Sequence, residues 1–461
     1  MYNWRAPLLD FYDARVAASS VPVLRERLST FHDLPVEQRR PVQAERLRDL
    51  LRHAAAQVPY YRSVLHETGV VRGSEVDLAR FRRVPELTRE ILRSQRDALT
   101  SDDLPTRDWY ANSSGGSTGE PVIVLQDRIY EAIGHAALDM HYAWAGRARG
   151  EPMIRLWGSD RDILQGTLGW RNKVSNFIRN TTMQNSFRMT RDDIARYIAD
   201  IRRIRPVVIE AYSESIYELA RHINASGIRL PRVRAVVTSA ATLYPFIRAE
   251  VERAFGCPVL NRYGSREVGS FAGERTSGGG LDVFGYTHWV EVVNAQGEPC
   301  GPDEEGDVLV TCLTNYAMPV IRYRIGDRAV VGSTVASPTP SVEMLRTVTG
   351  RAVDAILLPD GSTVPGMFFM YFLSVRFHGG WIRKFQVVQR GIDDILIKLV
   401  VLRPPPEGAT EEIAGALRHI LGAACAIEFA FLGEIPSLPS GKYSYVISQV
   451  HRRRRLENPD A

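Results

Sequence analysis

The sequence predicts an α/β protein with a large N-terminal domain, residues 1–350, and a small, mobile α+β C-terminal domain, residues 351–461. Short apolar runs that alternate with helical stretches from about residue 106 predict mixed, mostly parallel sheets. Runs of strands separated by turn residues predict a small antiparallel, barrel-like part. A last pattern of strands around one helix predicts the second domain. The composition, 44% hydrophobic and 24% charged, is that of an ordinary globular chain.

The entry segment, residues 1–105, is mostly helical by its pattern. The run 42–56 places Leu47, Leu50 and Leu51 at helical spacing. Pro59 disfavours helix at the residue before it, so this helix is expected to end there. Thr88 is suited to cap a further short helix.

The middle of the N-terminal domain alternates strands with helices. The predicted strands lie within 121–125, 206–212, 233–239 and 257–264. The predicted helices are 129–145, 191–204, 213–226 and 244–255. Residues 287–331 then change to apolar runs between Gly, Pro and Asn turns, which indicates antiparallel hairpins.

The C-terminal domain reads as an α+β unit. Strands are expected in KFQVVQR, DILIKLVVL and AIEFAFL, with one helix in EEIAGALRHILGA. At about 110 residues, the unit is large enough to fold alone. The terminal run HRRRRLENPDA is interpreted as a solvated tail, and a nucleic-acid patch is the alternative.

Charge and hydropathy exclude several classes of protein. The 58 basic and 53 acidic residues leave a net charge of +5, weak evidence for a nucleic-acid or membrane partner. The N-terminus lacks the apolar core of a signal peptide, and no run approaches the roughly 18 apolar residues of a spanning helix. We expect a cytoplasmic protein without a membrane partner.

The strongest local motif is NSSGGSTGEPV, residues 112–122. Glycines let backbone N–H groups turn towards an anion, and hydroxyl groups add donors for phosphate oxygens. The loop is not a Walker A motif, because Gly119 is followed by Glu120. Its place before a strand favours a phosphate loop, and a flexible linker is the alternative.

Two later turns carry candidate acidic residues. In NRYGSREVG, residues 261–269, Glu267 follows a strand, where a carboxylate can hold Mg²⁺; a surface salt bridge with Arg266 is the alternative. In RYRIGDRA, residues 322–329, Asp327 can accept hydrogen bonds from ribose hydroxyls; an ordinary turn aspartate is the alternative.

The remaining motifs lie at the domain junction and near the C-terminus. Arg351 can bind phosphate or ribose, and Asp354 can serve as a hinge. Lys442 is one of four lysines in a chain whose other basic residues are arginines. A lysine on a Gly-rich turn can neutralise charge at a reacting phosphate, although an isolated lysine is more often merely solvated.

The order of these motifs resembles the adenylate-forming superfamily of acyl-CoA ligases, peptide-synthetase adenylation domains and luciferases. Within it, the chain is similar to the phenylacetate–CoA ligase-like branch and its capsule-biosynthesis-type relatives. The likeness spans essentially the whole chain. The segments that carry it include LLRHAAAQVPYYRSVL, FRRVPELTREILRS and TSAATLYPFIRAEVERAFGCPVLNRYGSREVG.

The resemblance implies an ATP- and acid-binding N-terminal domain and a C-terminal domain that carries the catalytic Lys442. Glu267 would hold Mg²⁺ and act with Lys442 in catalysis, and Asp354 would be the hinge. The implied ATP-binding residues are Ser113, Ser114, Gly115, Gly116, Ser117, Thr118, Gly119, Ser239, Ala240, Tyr263, Asp327 and Arg351. Candidate acyl-pocket residues are Tyr142, Trp144, Trp157, Tyr212, Ser213, Ala241 and Gly264, although Ser213 and each of the aromatic ones are more often core residues.

The implied reaction uses ATP and Mg²⁺ to activate a carboxylic acid as an acyl-adenylate, with release of pyrophosphate. The acceptor implied by the branch is CoA, with a carrier-protein thiol or an amine as alternatives; a binding protein that has lost catalysis is a further alternative. Cysteines that bind zinc in some relatives are absent from the stretches FAGERTSGGGLDVF and STVASPTPSVEMLRTV, so we expect no structural zinc. We expect a monomer or a homodimer.

Overall fold

The structure of the protein is a computed structural model, which describes part of the chain. It covers residues 4–11, 13, 21–113, 122–157, 175–184, 191–332, 341–351, 356–360, 363–364, 366–373, 381–436 and 443–450. Within these residues no helix is long and apolar enough to cross a membrane.

The entry segment is helical, as predicted. Its helices are α1 (Arg5–Phe11), α2 (Val21–Asp33), α3 (Val36–Gln57), α4 (Pro59–Glu67), α5 (Arg89–Ser94) and α6 (Arg96–Leu99). Helix α3 ends two residues before Pro59, which occupies the first position of α4, where its missing N–H is not needed. Thr88 caps α5 by accepting a hydrogen bond from Ile91 N. A minor pair of strands, β1 (Val71–Arg72) and β2 (Glu75–Val76), lies between α4 and α5.

A β-hairpin and one long helix lead into the central sheet. The hairpin pairs β3 (Trp109–Ser113) with β4 (Ile123–Asp127), and α7 (Arg128–Trp144) follows at once. The predicted phosphate loop therefore lies between the two strands of this hairpin. Helix α7 starts and ends one residue earlier than its pattern predicts.

The central sheet has eleven strands, and one half of it is parallel. In spatial order this half contains β9 (Val259–Ser265), β8 (Ala235–Ser239), β7 (Val208–Tyr212), β5 (Met153–Leu156) and β6 (Thr181–Gln184). One face packs against α7. The other packs against three helices: α8 (Arg191–Ile204), α9 (Ser213–Ala225) and α10 (Pro245–Phe255). This is the α/β alternation that the sequence predicts, and the parallel strands end at a common edge.

The other half of the sheet is antiparallel and continues from β9. It consists of β10 (Gly269–Glu274), β11 (Leu281–Val283), β15 (Met344–Arg351), β14 (Tyr323–Val331), β13 (Glu305–Cys312) and β12 (His288–Val293). The main hydrophobic core joins these strands to the entry helices through residues such as Leu50, Leu51 and Phe81. Each fully buried Leu or Phe contributes roughly 1.5–3 kcal/mol to folding. The predicted antiparallel part thus shares one sheet with the parallel part.

The C-terminal part has its own α+β core. Its elements are β16 (Ile356–Leu357), β17 (Thr363–Val364), α11 (Gly366–Tyr371), β18 (Ile382–Gly391), β19 (Asp394–Val401), α12 (Ala409–Leu421), β20 (Ala426–Phe431) and β21 (Val446–Ser448). Strands β20, β19, β18 and β21 form a four-stranded sheet in that order. Ile413, Leu417 and Leu421 of α12 pack against it. The predicted fold class is confirmed, and the domain boundary at residues 350 and 351 stays a prediction.

Candidate functional site

The candidate residues gather where the strands of the parallel half end. Tyr212 pairs with Ser239 in neighbouring strands, and both side chains are buried. Ser213 Oγ donates a hydrogen bond to the carbonyl oxygen of Ala241 at 3.3 Å. Ala240 has a φ of 73°, which a residue with a Cβ adopts only at a cost. The sharp turn after β8 therefore brings the loop 239–241 against the start of α9.

Tyr263 and Asp327 link the parallel half to the antiparallel half. The Tyr263 hydroxyl donates a hydrogen bond to Asp327 Oδ2 at 2.8 Å. Asp327 is paired in the sheet with Arg351, so the backbone of that residue lies beside it. The structure thus brings together three residues that the motifs assigned separately to the nucleotide site.

The β3–β4 hairpin is fixed over the turn that carries Glu267. Gln126 Nε2 donates to the carbonyl oxygens of Arg266, at 3.1 Å, and Glu267, at 3.4 Å. Asn112 Nδ2 donates to Gln126 Oε1 at 3.1 Å. Ser113, at the end of β3, has a buried hydroxyl oxygen with no hydrogen-bond partner in the described part of the chain. The start of the Ser/Gly loop and Glu267 are therefore neighbours in space, although 154 residues separate them.

Glu267 is the residue that the sequence predicts as the Mg²⁺ ligand. Its side chain is 7% exposed, and Arg89 Nη1 lies 3.7 Å from its Oε1, beyond the length of a good hydrogen bond. A single carboxylate fits Mg²⁺ that takes its other ligands from phosphate oxygens and water. No group of three or more His, Cys, Asp or Glu residues could hold a metal ion by itself within the described ranges. All four cysteines are free thiols.

Gly264 is required by close packing. A Cβ built on it would lie 2.6 Å from Ser270 Cα in the adjacent strand and closer still to the carbonyl oxygen of Gly269. The predicted pocket role of Gly264 is therefore accompanied by a structural one, because no larger residue fits between β9 and β10.

The acyl-pocket candidates divide into two groups. The rings of Trp157 and Tyr212 are in contact, with centroids 4.4 Å apart, at the ends of adjacent strands. Tyr142 lies deeper, with its hydroxyl donating to Glu210 Oε2 at 2.8 Å. Trp144 has different neighbours: its ring packs edge-on against His141 and Phe284, and its suggested place in the pocket stays a prediction.

The C-terminal part contacts the start of α9 beside these strand ends. The Tyr445 hydroxyl donates a 2.5 Å hydrogen bond to Glu214 Oε2. Arg221 Nη1 donates to the carbonyl oxygen of Arg383 at 2.8 Å. Tyr443, the first described residue after Lys442, donates its hydroxyl to the carbonyl oxygen of Phe385, and Lys384 Nζ lies 4.1 Å from its ring centroid.

Burial is the main cause of the pKa shifts of the Glu214 carboxyl group and the Tyr445 hydroxyl group. Burial raises the pKa of Glu214 to about 7, and the hydrogen bond from Tyr445 and the positive charge of Lys384 only partly oppose this. Burial also raises the pKa of Tyr445 well above its ordinary value, so its hydroxyl stays protonated and donates. The contact therefore joins a neutral phenol to a carboxyl group that titrates near neutrality.

Several predicted site residues lie outside the described residues. These are Ser114, Gly115, Gly116, Ser117, Thr118, Gly119, Asp354 and Lys442. The backbone of Arg351 is described but its side chain is not. Their proposed roles remain predictions.

Sequence reasoning missed four polar residues beside the site: Gln126, Glu210, Glu214 and Tyr445. Glu210 had a detectable signal, because a carboxylate in the middle of an otherwise apolar, buried strand is rare unless it is paired. Arg155 and Arg262 interrupt β5 and β9 in the same way.

Comparisons with known proteins identify sequences that are similar to this chain. Residues 359–449 match the CapK C-terminal domain family. Protein CapK from Staphylococcus aureus is 22% identical over 417 residues, which is 89% of each chain. Phenylacetate-coenzyme A ligase from Escherichia coli strain K12 is 26% identical over 353 residues, 74% of this chain and 78% of that one. The chain is thus similar over most of its length to CapK and to phenylacetate-coenzyme A ligases.

Solved structures show a similar fold. A 2-hydroxyisobutyryl-CoA ligase, in its postadenylation state with R3-HIB-AMP, aligns with a TM-score of 0.69 and 17% identity over 92% of this chain and 93% of that chain. The amide bond synthetase McbA from Marinactinospora thermotolerans aligns with a TM-score of 0.50 and 17% identity over 71% of this chain and 66% of that chain. The recognition based on the order of motifs is confirmed, and the chain has the fold of the adenylate-forming ligases.

Proposed function

We propose that this protein activates a carboxylic acid with ATP and Mg²⁺ as an acyl-adenylate and then transfers the acyl group to the thiol of coenzyme A. The observation that carries the proposal is the convergence of three separate motifs. Tyr263 and Asp327 are joined by a hydrogen bond, and the hairpin that bears Ser113 is held against the turn of Glu267. In this proposal Asp327 is the ribose acceptor, Glu267 the metal ligand and Ser113 a phosphate donor, and the contacts above support a common place for them at one edge of the sheet.

The chemistry needs positioning and charge neutralisation more than proton transfer. A carboxylate oxygen of the acid forms a bond to the α-phosphorus of ATP, and the bond from that phosphorus to the bridging oxygen breaks, releasing pyrophosphate. In the second step the sulfur of the acceptor bonds to the carbonyl carbon, AMP leaves, and the thiol proton goes to solvent. Both steps gain most from held geometry and from fixed positive charge.

The residues of this chain take four roles in the proposal. Asp327 accepts hydrogen bonds from the ribose hydroxyls, and Tyr263 holds the carboxylate of Asp327 in place. Glu267 holds Mg²⁺, which neutralises phosphate charge when bound. Ser113 and the Ser/Gly loop after it donate to the phosphates. Lys442 brings a positive charge to the reacting carboxylate and the α-phosphate.

Coenzyme A is the acceptor best supported by the relatives. The phenylacetate-coenzyme A ligase and the 2-hydroxyisobutyryl-CoA ligase both have it in their names. The amide bond synthetase has the same fold, so an amine acceptor is the alternative. A carrier-protein thiol would need the same second step as coenzyme A.

The test is acid-dependent release of pyrophosphate from ATP and Mg²⁺, measured over a panel of aryl, aliphatic and amino acids. Hydroxylamine added to the reaction traps the adenylate as a hydroxamate. We expect release with at least one acid, and its loss in Lys442→Ala. Lys398→Ala is the matched control, because it removes a lysine of the same domain from strand β19. Product formation with coenzyme A or with amines then identifies the acceptor.

Two results would contradict the proposal. Equal rates of pyrophosphate release by Lys442→Ala and Lys398→Ala would show that Lys442 has no role in the reaction. A folded protein that binds no ATP and releases no pyrophosphate with any acid would favour a binding protein that has lost catalysis.

A further inference from the structure

Three charged residues lie on the face of the central sheet that packs against α7. Arg155 in β5 pairs directly with Glu210 in β7, and Arg262 is in β9, two strands beyond. Glu210 is fully buried and the Arg262 side chain is 6% exposed, whereas the Arg155 side chain is 27% exposed. Charged residues are expensive at such depth, so each needs a partner.

The described residues leave this cluster with unbalanced charge. Both Arg155 and Arg262 form ion pairs with the one carboxylate of Glu210. Within the described ranges neither arginine contacts another carboxylate. Burial raises the pKa of Glu210, but the two guanidinium groups more than offset this and hold its pKa below the ordinary value. Two positive charges therefore face one negative charge.

The hydrogen bonds within the cluster also leave one buried donor without an acceptor among the described residues. Arg262 Nη1 donates to Ser270 Oγ at 2.6 Å, and Tyr142 donates to Glu210. The Nε atom of Arg262 is buried without a hydrogen-bond acceptor in the described part of the chain, whereas the Nε atom of Arg155 is the one that pairs with Glu210. A buried donor without an acceptor is unfavourable, and an oxygen atom of a ligand would satisfy it.

The cluster borders the pocket proposed for the acyl group. The Cζ atoms of Arg155 and Arg262 lie 5.2 and 5.8 Å from the centroid of the Trp157 ring, which contacts Tyr212. Arg262 also directly precedes Tyr263, the residue bonded to Asp327. The guanidinium groups therefore lie next to the aromatic pair at the strand ends. A pocket for an apolar acid would be expected to have an apolar wall here, without positive charges.

We propose that the acid substrate carries a second anionic group, remote from its reacting carboxylate, and that Arg155 and Arg262 bind this group. The inference rests on the proposed function and names the substrate class for it: dicarboxylic acids and acids with an equivalent anionic oxygen group. Arg155 is the more accessible of the two arginines and makes the first contact. Arg262, held by Glu210 and Ser270, orients the cluster.

The test compares acids that differ only in the remote group. The pairs are adipate against hexanoate and 4-carboxyphenylacetate against phenylacetate, with 6-hydroxyhexanoate as the neutral polar member. The readout is kcat/KM for pyrophosphate release. We expect the dianionic member of at least one pair to be preferred by about tenfold or more, the size of one charge-assisted contact. Equal or better use of the apolar member in both pairs, or a preference for 6-hydroxyhexanoate over adipate, would overturn the inference.

Two variants distinguish charge from structure. Arg155→Gln should reduce the preference for the dianionic acid about tenfold, and Glu210→Gln should increase it, because the first removes a positive charge and the second a negative one. Loss of packing alone would move both variants in the same direction. The affinity for ATP should stay unchanged in both, and thermal melting checks that each is folded. If Glu210→Gln does not fold, Arg155→Gln alone decides: an unchanged preference overturns the inference.

Binding separates a failure of this inference from a failure of the proposed function. Adipate and hexanoate can be titrated into the protein by tryptophan fluorescence, with Trp157→Phe as the control for signal from the pocket. Tighter binding of adipate than of hexanoate, if it requires Arg155, supports the anionic site even when no acid causes release of pyrophosphate. An absence of pyrophosphate release counts against the proposed function only. Binding of hexanoate as tight as that of adipate counts against the anionic site.

Discussion

Tyr445 and Glu214 join the C-terminal sheet to the first turn of α9 through a 2.5 Å hydrogen bond. Glu214 directly follows Tyr212 and Ser213 at the strand ends, and Tyr445 follows Lys442 by three residues. The bond therefore ties the segment that carries the proposed catalytic lysine to the wall of the proposed acyl pocket. Tyr244 also faces Tyr445, with ring centroids 6.3 Å apart.

Removing the Tyr445 hydroxyl should slow adenylation. Without the hydrogen bond, the C-terminal part is held less firmly against the start of α9. We expect Tyr445→Phe to lower kcat for pyrophosphate release about tenfold, equivalent to about 1.4 kcal/mol, with little change in KM for ATP. Tyr443→Phe is the control, because its hydroxyl bonds within the C-terminal part and its loss should lower the melting temperature instead. Equal kinetics for Tyr445→Phe and the unmodified protein would contradict this role.

Glu214 should make stability depend on pH. Burial raises its pKa to about 7 from the ordinary 4.5, so the folded state holds the proton more tightly than the unfolded chain. The stabilisation of the folded state by this tighter proton binding is fully present below about pH 4.5 and is lost as the pH rises through about 7. Glu214→Gln cannot titrate, so its melting temperature should exceed that of the unmodified protein increasingly across this range. Parallel melting curves over the same range would show that Glu214 does not carry the effect.

Tyr263→Phe should weaken ATP binding. The variant keeps the ring but removes the hydroxyl that bonds Asp327 at 2.8 Å, which leaves the carboxylate less well placed for ribose. We expect KM for ATP to rise about fivefold to tenfold, the effect of one hydrogen bond, while the relative use of different acids stays the same. Tyr60→Phe in the entry segment is the control. A change in acid preference with unaltered KM for ATP would place Tyr263 in the acyl pocket instead.

Gly264→Ala should destabilise the protein and abolish activity. The new methyl group would collide with the backbone of β10, which cannot move without breaking the β9–β10 pairing. We expect a loss of about 2 kcal/mol or more in the free energy of unfolding. Gly134→Ala is the matched control: nothing lies within 4 Å of its Cβ position, and it sits within α7, so it should stabilise by up to about 1 kcal/mol. Chemical denaturation of both variants tests the pair.

The helices and strands of the N-terminal part were predictable because each has a local cause. The 3.6-residue period of α3, the Thr88 cap of α5 and the alternation of apolar strands with helices all act over short stretches of chain. The neighbours of Trp144 could not be predicted, for the opposite reason. Its position at the end of α7 was known, but which face of the helix meets the strand ends depends on packing with Phe284, over a hundred residues away.

The sequence by itself determined the fold class, the order of the motifs and the family resemblance, because periodicity, turn residues and motif spacing are properties of the linear chain. The tertiary structure alone decided which residues meet. It joined Tyr263 to Asp327, set the Ser113 hairpin on the Glu267 turn, and paired Glu214 with Tyr445 across 231 residues. It also placed the two guanidinium groups of Arg155 and Arg262 against one carboxylate. Such contacts follow from sheet order and register, which depend on the simultaneous packing of distant segments rather than on any local pattern.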